Sequence, residues 1–336
     1  MGGGHPIPAA AVTDPLTPSA LPDFLNRDRP PVPDLVVPRG VLGFHLAEKP
    51  VRGRFVRLGP LAEAILSRHE APPVVSTLVG EALVLVAALA SGLKFRGSFS
   101  LQARGDGPVP MLLADCTDTG ALRGYARADH ERLAALLAQD PAPSAAALLG
   151  QGFLAFTCDQ GPEMDRYQGI VTIAGQSLAE MTQHYFATSE QLDAVVRLAC
   201  APGPEGWRAA GLVMERIAGA GGIGISLDEA EQQDAWHTAL ALATTLTPTE
   251  MLDDTLPPER LLHRLFHAEG LVLGRPRALS YGCRCSRARL AGVLSSFPAA
   301  ELDEMAEDGT ITMTCEFCNL AFRFDRAGIR GADSDA

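Results

Sequence analysis

The sequence predicts an α+β protein in which a core domain with a mixed or antiparallel sheet and helices is followed by a helical linker and a small C-terminal cysteine module. Before residue 226, strand patterns outnumber helix patterns and do not alternate regularly with them, which argues against a doubly wound parallel sheet. Near the C-terminus, four cysteines lie in two close pairs. We therefore divide the chain into five parts, namely residues 1–38, 39–225, 226–281, 282–326 and 327–336.

Length and composition bound the function. The chain has 336 residues, 47% of them hydrophobic, which is enough for a sizeable core and two or three domains. The net charge of −12 argues against binding to nucleic acid or to an anionic membrane. The N-terminus lacks the pattern of a signal peptide, and the longest apolar run, residues 82–90, is too short to span a bilayer. We therefore expect a cytoplasmic protein, in which thiols stay reduced.

Residues 39–225 carry the patterns of the core domain, whereas residues 1–38 contain nine prolines and no periodicity. Apolar Phe99, Leu101 and Ala103 alternate with polar neighbours, and a period of two marks a strand with one buried face. Such patterns predict strands at residues 54–58, 95–104, 111–116, 153–157, 169–173, 194–198 and 211–216. Helices are predicted at residues 61–69, 75–93, 131–139 and 177–186. We expect residues 1–38 and 327–336 to be disordered tails.

Residues 226–281 are predicted to form a metastable linker of short helices. Ser226 with Glu229, and Thr247 with Glu250, are typical of capping boxes, and Pro258 suits the first turn of a third helix. Two narrow apolar stripes follow these signals, formed by Trp236, Leu240, Ala243 and Leu246 in the first helix and by Leu261, Leu262, Leu265 and Phe266 in the third. Helices this short are marginal alone, so we expect them to be docked, with the first stripe covering a surface of the core domain.

Residues 282–326 form the cysteine module. Helices are predicted at residues 286–296 and 298–307, and a hairpin at residues 311–314 and 320–324. About 45 residues cannot build an adequate hydrophobic core, so a metal is expected to stabilise the module.

The module's cysteines form a C-x-C pair, Cys283 and Cys285, and a C-x-x-C pair, Cys315 and Cys318. Four thiolates in two such pairs can supply a complete tetrahedral site for one zinc ion. The same thiols can instead close into two short-range disulfides. A structural zinc site, a redox switch, or both therefore fit the pattern. Three neighbouring arginines are expected to steady the thiolates and lower their pKa, namely Arg284, Arg287 and Arg289.

Several other patterns favour ordinary structural roles. Residues 219–224 match G-x-G-x-x-G but lack the βαβ context of a dinucleotide site, so we interpret them as a loop. His263 and His267 could ligate a metal together but lie off their helix's apolar stripe, which favours a solvated face. Four acidic residues have no spacing that distinguishes them from loop acids, namely Asp115, Asp159, Glu163 and Asp165. The isolated cysteines are predicted to be small buried hydrophobic side chains, namely Cys116, Cys158 and Cys200.

The chain contains no nucleophile elbow, Walker loop or H-E-x-x-H motif, so we do not expect an enzyme. One alternative is a structural zinc-ribbon protein that binds nucleic acid or a protein partner. The module's excess of acidic over basic residues argues against nucleic acid. A second alternative, a thiol oxidoreductase, requires the C-x-x-C pair at a helix start, whereas Cys315 follows a predicted strand.

The cysteine segments also resemble a known family. The segments Tyr-Gly-Cys-Arg-Cys-Ser-Arg at 281–287 and Ile-Thr-Met-Thr-Cys-Glu-Phe-Cys at 311–318 look like the redox domain of the bacterial redox-regulated heat-shock holdase, the 33 kDa chaperonin family. Blocks of the core domain agree in the same order, at residues 93–95, 101–108, 123–127, 166–169 and 185–191. The resemblance covers about residues 39–326.

The resemblance implies an ATP-independent holdase chaperone that is off when Cys283, Cys285, Cys315 and Cys318 hold zinc. In such a family, oxidation would form the disulfides Cys283–Cys285 and Cys315–Cys318 and release the zinc. The module and the linker at 226–281 would then unfold, and exposed apolar surface would bind unfolded client proteins. The active, oxidised form would be a homodimer that protects clients from oxidative and thermal aggregation.

Overall fold

The computed structural model describes residues 33–161, 167–217 and 227–329. Most strands belong to one sheet of eleven. In chain order they are β1 (Val36–Leu46), β2 (Val51–Arg57), β3 (Ser98–Gly105), β4 (Met111–Thr117), β5 (Ala121–Arg127), β6 (Gly152–Asp159), β7 (Tyr167–Thr172), β8 (Ala194–Gly203), β9 (Gly206–Arg216), β10 (Leu271–Leu273) and β11 (Arg277–Tyr281). The order across the sheet is β7-β6-β3-β4-β5-β11-β1-β2-β9-β8, with β10 also paired to β1. All pairs are antiparallel except β5–β11. The predicted α+β class with a mixed sheet is confirmed.

The helices lie around this sheet and in the C-terminal module. They are α1 (Pro60–Leu66), α2 (Pro73–Gly92), α3 (His130–Gln139), α4 (Ala145–Leu149), α5 (Leu178–Tyr185), α6 (Glu229–Thr244), α7 (Pro248–Leu252), α8 (Pro258–Phe266), α9 (Arg287–Leu294) and α10 (Ala299–Met305). Every strand and helix predicted in the core domain is present, with ends that differ by a few residues.

Helix α2 is the centre of the larger hydrophobic cluster. Among the described helices it alone is long and apolar enough to cross a membrane, with a mean hydropathy of 2.1. However, 72% of its apolar window is buried, and its leucines and valines pack against the sheet. The burial identifies it as a core helix.

The linker helices cover the opposite face of the sheet. On β2, the adjacent residues Phe55 and Val56 belong to different buried clusters, because successive strand residues point to opposite faces. Val56 faces α2, and Phe55 belongs to the cluster under α6–α8, which we call the linker-covered face. It consists of Leu42, Phe44, Leu46, Val51, Phe55, Val195, Ala199, Ala210, Leu212 and Met214.

The predicted docking of the first linker stripe agrees with this packing. Trp236, Ala243 and Leu246 are at most 5% exposed, and Leu240 packs partly buried against the same cluster. In α8, Leu261, Leu262 and Phe266 are buried, and the Phe266 ring stacks on Phe44 with centroids 5.3 Å apart. The capping box at Thr247 and Glu250 is confirmed.

The first linker helix begins later than predicted. Ser226 lies outside the described residues, and the N-cap of α6 is Asp228, whose capping box is completed by Glu231 rather than Glu229. Asp228 with Glu231 makes the same pair of reciprocal bonds that was predicted for Ser226 with Glu229. The predicted helix start was therefore two residues too early.

The end of the linker is not helical. Strands β10 and β11 lie between residues 226 and 281, and β11 separates β1 from β5 in the middle of the sheet. Likewise, the first strand begins at Val36, inside the predicted tail, because Val36 and Val37 pair with Ser280 and Leu279. Both features depend on backbone pairing between segments far apart in sequence, which local patterns do not report. Residues 1–32 lie outside the described residues.

The C-terminal module packs around its own small cluster. It contains α9, α10 and a hairpin of β12 (Thr310–Thr314) and β13 (Ala321–Asp325), as predicted. A short 3-10 turn, Arg326–Gly328, extends into the predicted C-terminal tail, whose residues 330–336 lie outside the described residues.

Candidate metal centre

The side chains of Cys283, Cys285, Cys315 and Cys318 converge, and their four Sγ atoms lie within 4.8 Å of one another. The separations are 3.4 Å for Cys283–Cys285, 3.7 Å for Cys283–Cys315 and 3.5 Å for Cys285–Cys318. A tetrahedral zinc with Zn–S bonds of about 2.3 Å requires sulfurs about 3.8 Å apart. The donor set and its spacing therefore fit a four-thiolate metal site. No other group of three or more possible metal ligands converges within the described parts of the chain.

The C-x-C pair is positioned by the core sheet. Strand β11 ends at Tyr281, and the Gly282 amide donates to the carbonyl of Leu122 on β5 at 2.6 Å. A Cβ on Gly282 would lie 2.6 Å from backbone atoms of Ala121 and Leu122, so only glycine allows this close approach. Cys283 follows directly, and Cys285 precedes the N-cap of α9, Ser286. The first thiol pair is thus held between a central strand and a helix start.

The C-x-x-C pair lies in the hairpin turn between β12 and β13. The Cys315 amide donates to the carbonyl of Leu320 at 3.0 Å, and the Asn319 amide donates to the carbonyl of Cys315 at 2.8 Å. Asn319 adopts a left-handed conformation with φ of 53°, which asparagine tolerates well. These bonds close the turn and direct both thiols toward the first pair.

Sulfur–sulfur hydrogen bonds dominate the electrostatics of the cluster. The hydrogen bond with Cys285 lowers the pKa of Cys283 to about 7, while the shared protons raise the pKa of Cys285 itself. Hydrogen bonds to the other sulfurs, first of all Cys283, also lower the pKa of Cys315 and raise that of Cys318. By contrast, burial raises the pKa of Cys116 and of Cys200 to about 12. The cluster therefore favours thiolates at Cys283 and Cys315, whereas burial keeps the core thiols protonated. The predicted burial of all three isolated cysteines is confirmed.

The expected role of the neighbouring arginines is not supported. Arg284 forms an ion pair with Asp115 of the core domain. The Arg287 guanidinium lies 4.7 Å from the centroid of the Phe324 ring and donates to the carbonyl of Arg323. Both charges have partners other than the thiols, and the lowered pKa of Cys283 comes first from Cys285.

Tyr281, the last residue of β11, places a buried polar group near the cysteine cluster. Its hydroxyl is buried and has no hydrogen-bond partner among the described residues. Burial raises its pKa, and Cys283, Cys285 and Cys318 are among the groups that act on it.

Sequence reasoning missed the residues that join the module to the core domain. Asp115 is not a loop acid but lies in β4, 5% exposed, where it accepts from Arg123 at 3.2 Å and pairs with Arg284. The turn between Cys315 and Cys318 contacts β5 through Glu316 and Phe317. No local signal marks these residues, because each pair is separated by many positions in sequence.

The remaining predicted residues take no part in the cluster. His263 on α8 and His267, the C-cap of that helix, are exposed with their rings 5.2 Å apart, as expected for a solvated face. Asp159 ends β6 and caps the amide of Gly161. The glycine motif at 219–224, together with Glu163 and Asp165, lies outside the described residues.

Comparison with known proteins agrees with this arrangement. The family model described as Hsp33 protein matches residues 40–325. The 33 kDa chaperonin of Caulobacter vibrioides is 43% identical over 293 residues, covering 86% of this chain and 95% of the relative. That of Ectopseudomonas mendocina is 36% identical over 292 residues, covering 85% of this chain and 93% of the relative.

The fold has a counterpart in a solved structure. The crystal structure of the 33 kDa chaperonin (heat shock protein 33 homolog) of Thermotoga maritima aligns with a TM-score of 0.71 and 21% identity, covering 87% of this chain and 96% of that chain. The relatives are named as chaperonins, a class without enzymatic activity of its own, in agreement with the absence of catalytic motifs. The chain therefore belongs to the Hsp33 family and is a molecular chaperone.

Proposed function

We propose that this chaperone is a redox-regulated, ATP-independent holdase that is inactive when reduced and zinc-bound. The observation that carries the proposal is the convergence of four thiols within 4.8 Å inside the smallest of the three hydrophobic clusters among the described residues. A reversible change at those thiols acts on the cysteine module, whose hydrophobic cluster is too small to keep it folded without a metal.

In the reduced state, Cys283, Cys285, Cys315 and Cys318 would hold one zinc ion as thiolates. The ion, when bound, supplies two positive charges to four negative sulfurs and joins the C-x-C segment to the hairpin. The protein's own contribution is to bring both pairs to spacings that fit a tetrahedral site.

Oxidation would convert the four thiolates into the disulfides Cys283–Cys285 and Cys315–Cys318. Each disulfide forms when two thiolates give up two electrons to an oxidant such as peroxide, which takes up two protons per electron pair and leaves as water. Sulfurs 3.4 Å apart in Cys283 and Cys285 need to approach by about 1.4 Å to reach bonding distance. The sulfurs then no longer offer thiolates to a metal.

Loss of the metal would unfold the module and release the linker at 226–281. The linker is docked by its apolar stripes and by Arg57 of β2, whose guanidinium donates to the carbonyls of Met251 at 2.9 Å and Leu256 at 2.7 Å. Release would uncover the linker-covered face, whose residues are apolar and almost fully buried. Exposed apolar area of this kind is what a holdase uses to bind unfolding proteins.

The remaining parts of the proposal concern assembly and location. Residues 39–225 would bind clients and form a homodimer in the oxidised state. We propose a cytoplasmic protein that binds neither nucleic acid nor membranes, in keeping with the net charge of −12.

The test compares the reduced, zinc-loaded protein with the oxidised protein. Suppression of the aggregation of a chemically unfolded client is measured for both, while released zinc is followed with a chromogenic chelator. We expect strong suppression only after oxidation, together with release of about one zinc per chain. Equal suppression by both forms would contradict the redox switch, and purified reduced protein without zinc would contradict the metal site.

Linker docking has its own test. The double variant Leu240→Glu/Leu246→Glu places charges in the interface between α6 and the linker-covered face. It is expected to suppress aggregation without oxidant while keeping its zinc. The matched control is Ala241→Glu/Thr244→Glu, which adds the same charges on exposed positions of the same helix. An unchanged reduced double variant would count against docking of this stripe.

A further inference from the structure

The two residues between the second pair of cysteines leave the module and pack on the core domain. The Glu316 carboxylate accepts from the Arg127 guanidinium at 3.0 Å. The Phe317 ring meets Tyr125 edge-on, with centroids 5.0 Å apart and an interplanar angle of 83°. The Arg123 guanidinium lies 4.1 Å from the centroid of the same Phe317 ring. An acidic and an aromatic side chain are therefore both recognised by the core.

The backbone of this turn is bound as well. His69 Nε2 donates to the carbonyl of Phe317 at 3.3 Å, and Arg68 donates to the carbonyl of Cys318 at 3.4 Å. In return, Asn319 Nδ2 donates to the carbonyl of Arg68 at 2.9 Å. The bonds from His69 and Arg68 go to main-chain carbonyls and do not depend on the side chains of the bound segment, so these core groups can hold another peptide.

The core surface beneath the turn has a defined composition, and we call it the arginine–tyrosine face: Arg68, His69, Arg123, Tyr125 and Arg127. Asp115, bonded to Arg123 Nε at 3.2 Å, helps to hold that guanidinium over the aromatic ring. Tyr125 is only 9% exposed because the turn covers it. Three arginines gathered on one face of a chain with net charge −12 mark a local site for anionic groups.

We propose that the arginine–tyrosine face binds acidic–aromatic segments of unfolded client proteins and that Glu316-Phe317 occupies it in the reduced state. This inference rests on the proposed redox-controlled holdase function. The flanking cysteines, Cys315 and Cys318, both belong to the metal centre, so the centre holds Glu316 and Phe317 against the arginine–tyrosine face. When the module unfolds, Glu316 and Phe317 leave the arginine–tyrosine face, which then becomes accessible to clients.

This site differs chemically from the linker-covered face. That face consists of apolar side chains and selects for hydrophobicity alone. The arginine–tyrosine face adds charge-assisted hydrogen bonds to a carboxylate and an aromatic contact. An unfolded chain with an acidic residue next to an aromatic one would therefore engage both surfaces, and the two contacts would reinforce each other.

The test uses a fluorescein-labelled peptide of residues 312–321 with Cys315→Ser and Cys318→Ser, so that it binds no metal and forms no disulfide. Fluorescence anisotropy is measured with the full-length protein in its oxidised and its reduced, zinc-loaded forms. We expect binding by the oxidised form and at least about tenfold weaker binding by the reduced form, whose face is occupied. A control peptide that also carries Glu316→Gln and Phe317→Ala is expected to bind the oxidised form about tenfold more weakly than the first peptide.

Variants of the core locate the binding. Arg127→Ala removes a side chain that is 61% exposed, so it leaves the fold intact, and it is expected to weaken peptide binding about tenfold. Arg123→Ala is expected to do the same. The matched control is Arg52→Ala, an exposed arginine of β2 that pairs with Glu215 instead. Its binding should equal that of the unchanged protein.

Three results would overturn the inference: no binding by the oxidised form, equal binding of the two peptides, or equal binding by the Arg127→Ala and unchanged proteins. Aggregation suppression is measured on the same samples. If the oxidised protein suppresses aggregation but does not bind the peptide, the proposed binding site is refuted and the proposed function is not. Peptide binding without oxidation-dependent suppression refutes the proposed function and leaves the site standing.

Discussion

The core domain and the cysteine module are both folded around buried apolar clusters, but the two clusters differ in size and in kind. The cluster around α2 draws its apolar side chains from helices α1 to α5 and from most of the sheet. The module's cluster has nine buried residues, and four of them are the cysteines of the candidate metal centre. Burial of apolar area stabilises the first, whereas the second is too small to persist on area alone.

The difference indicates which kind of change each region is sensitive to. Oxidation of the thiols or removal of the metal should destabilise the module and leave the core stable. A cavity in the core should destabilise the core and leave the module stable. The junction between them includes the central strand β11, the ion pair of Arg284 with Asp115, and the contacts of the C-x-x-C turn with β5 and with the segment after α1. The following changes separate the two regions, beginning with the largest effect.

Removing the metal should unfold the module and spare the core. Structural zinc sites of this type contribute on the order of 10–16 kcal/mol to folding, which nine buried residues cannot replace. Hydrogen–deuterium exchange of the reduced protein is measured before and after a strong chelator is added. Peptides from residues 282–326 should lose protection, while those from α2 should keep it. Protected module peptides after complete chelation would contradict a metal-dependent fold.

Equivalent cavities should have different consequences in the two regions. Leu101 of β3 and Leu302 of α10 are both fully buried. Leu101→Ala should lower the free energy of unfolding of the core by about 2–5 kcal/mol and leave the zinc affinity unchanged. Leu302→Ala should leave core unfolding unchanged and weaken zinc binding at least about 30-fold, because folding and binding of the module are one process.

Urea unfolding followed by circular dichroism measures the first quantity, and competition with a zinc chelator measures the second. A Leu302→Ala protein with normal zinc affinity would show that the module folds independently of its metal.

The core should also carry a pH dependence of its own. Burial raises the pKa of Glu81, on α2, from 4.5 to about 7. Because the folded-state pKa lies above the unfolded one, the neutral carboxyl is favoured in the fold, and stability is lost as the pH rises from about 4.5 through 7. Glu81→Gln should therefore be more stable than the unchanged protein at pH 8, by about 1–3 kcal/mol, and equally stable near pH 4. Urea midpoints at both values measure this, and parallel pH profiles for the two proteins would rule out Glu81 as the source.

Surface charge pairs should matter least, even inside the module. Asp303 accepts from Arg326 at 2.7 Å, but its side chain is 68% exposed. Such pairs contribute about 0–1 kcal/mol, so Asp303→Ala should change zinc affinity less than about fivefold. The adjacent Leu302→Ala variant is the comparison. A larger effect from Asp303 than from Leu302 would show that charge rather than packing supports the module.

Much of the fold could be predicted because its signals are local. Alternation of apolar and polar residues located β3 and the other central strands, and caps located α7 and α8. Strands β1, β5, β10 and β11 were missed, along with the five-residue helix α4. Strands β10 and β11 and helix α4 are short, and β1 carries a register shift between Val37 and Val41. Strand β5 is as long and regular as β4, which was predicted. The pairing of β1 with β10 and β11 is decided by backbone partners far away in sequence.

The candidate site divides in the same way. The four thiols were recognised because ligand type and spacing are written in two short segments. The expectation that Arg284 and Arg287 steady the thiolates is not supported, since proximity in sequence to a cysteine does not determine where a long side chain finds its partner. Asp115 had no local signal at all, and its role exists only because β4 lies beside the module.

By itself, the sequence predicted which four thiols come together, because two close pairs of cysteines are typical of a single ligand set. It also determined the class of the fold, since periodicity is a local property. Only the tertiary structure decided what the centre is attached to. Strand β11 reaches it from the middle of the core sheet, and Glu316 and Phe317 lie against β5. Those contacts join surfaces that are remote in sequence, and they come into existence only when the chain is folded.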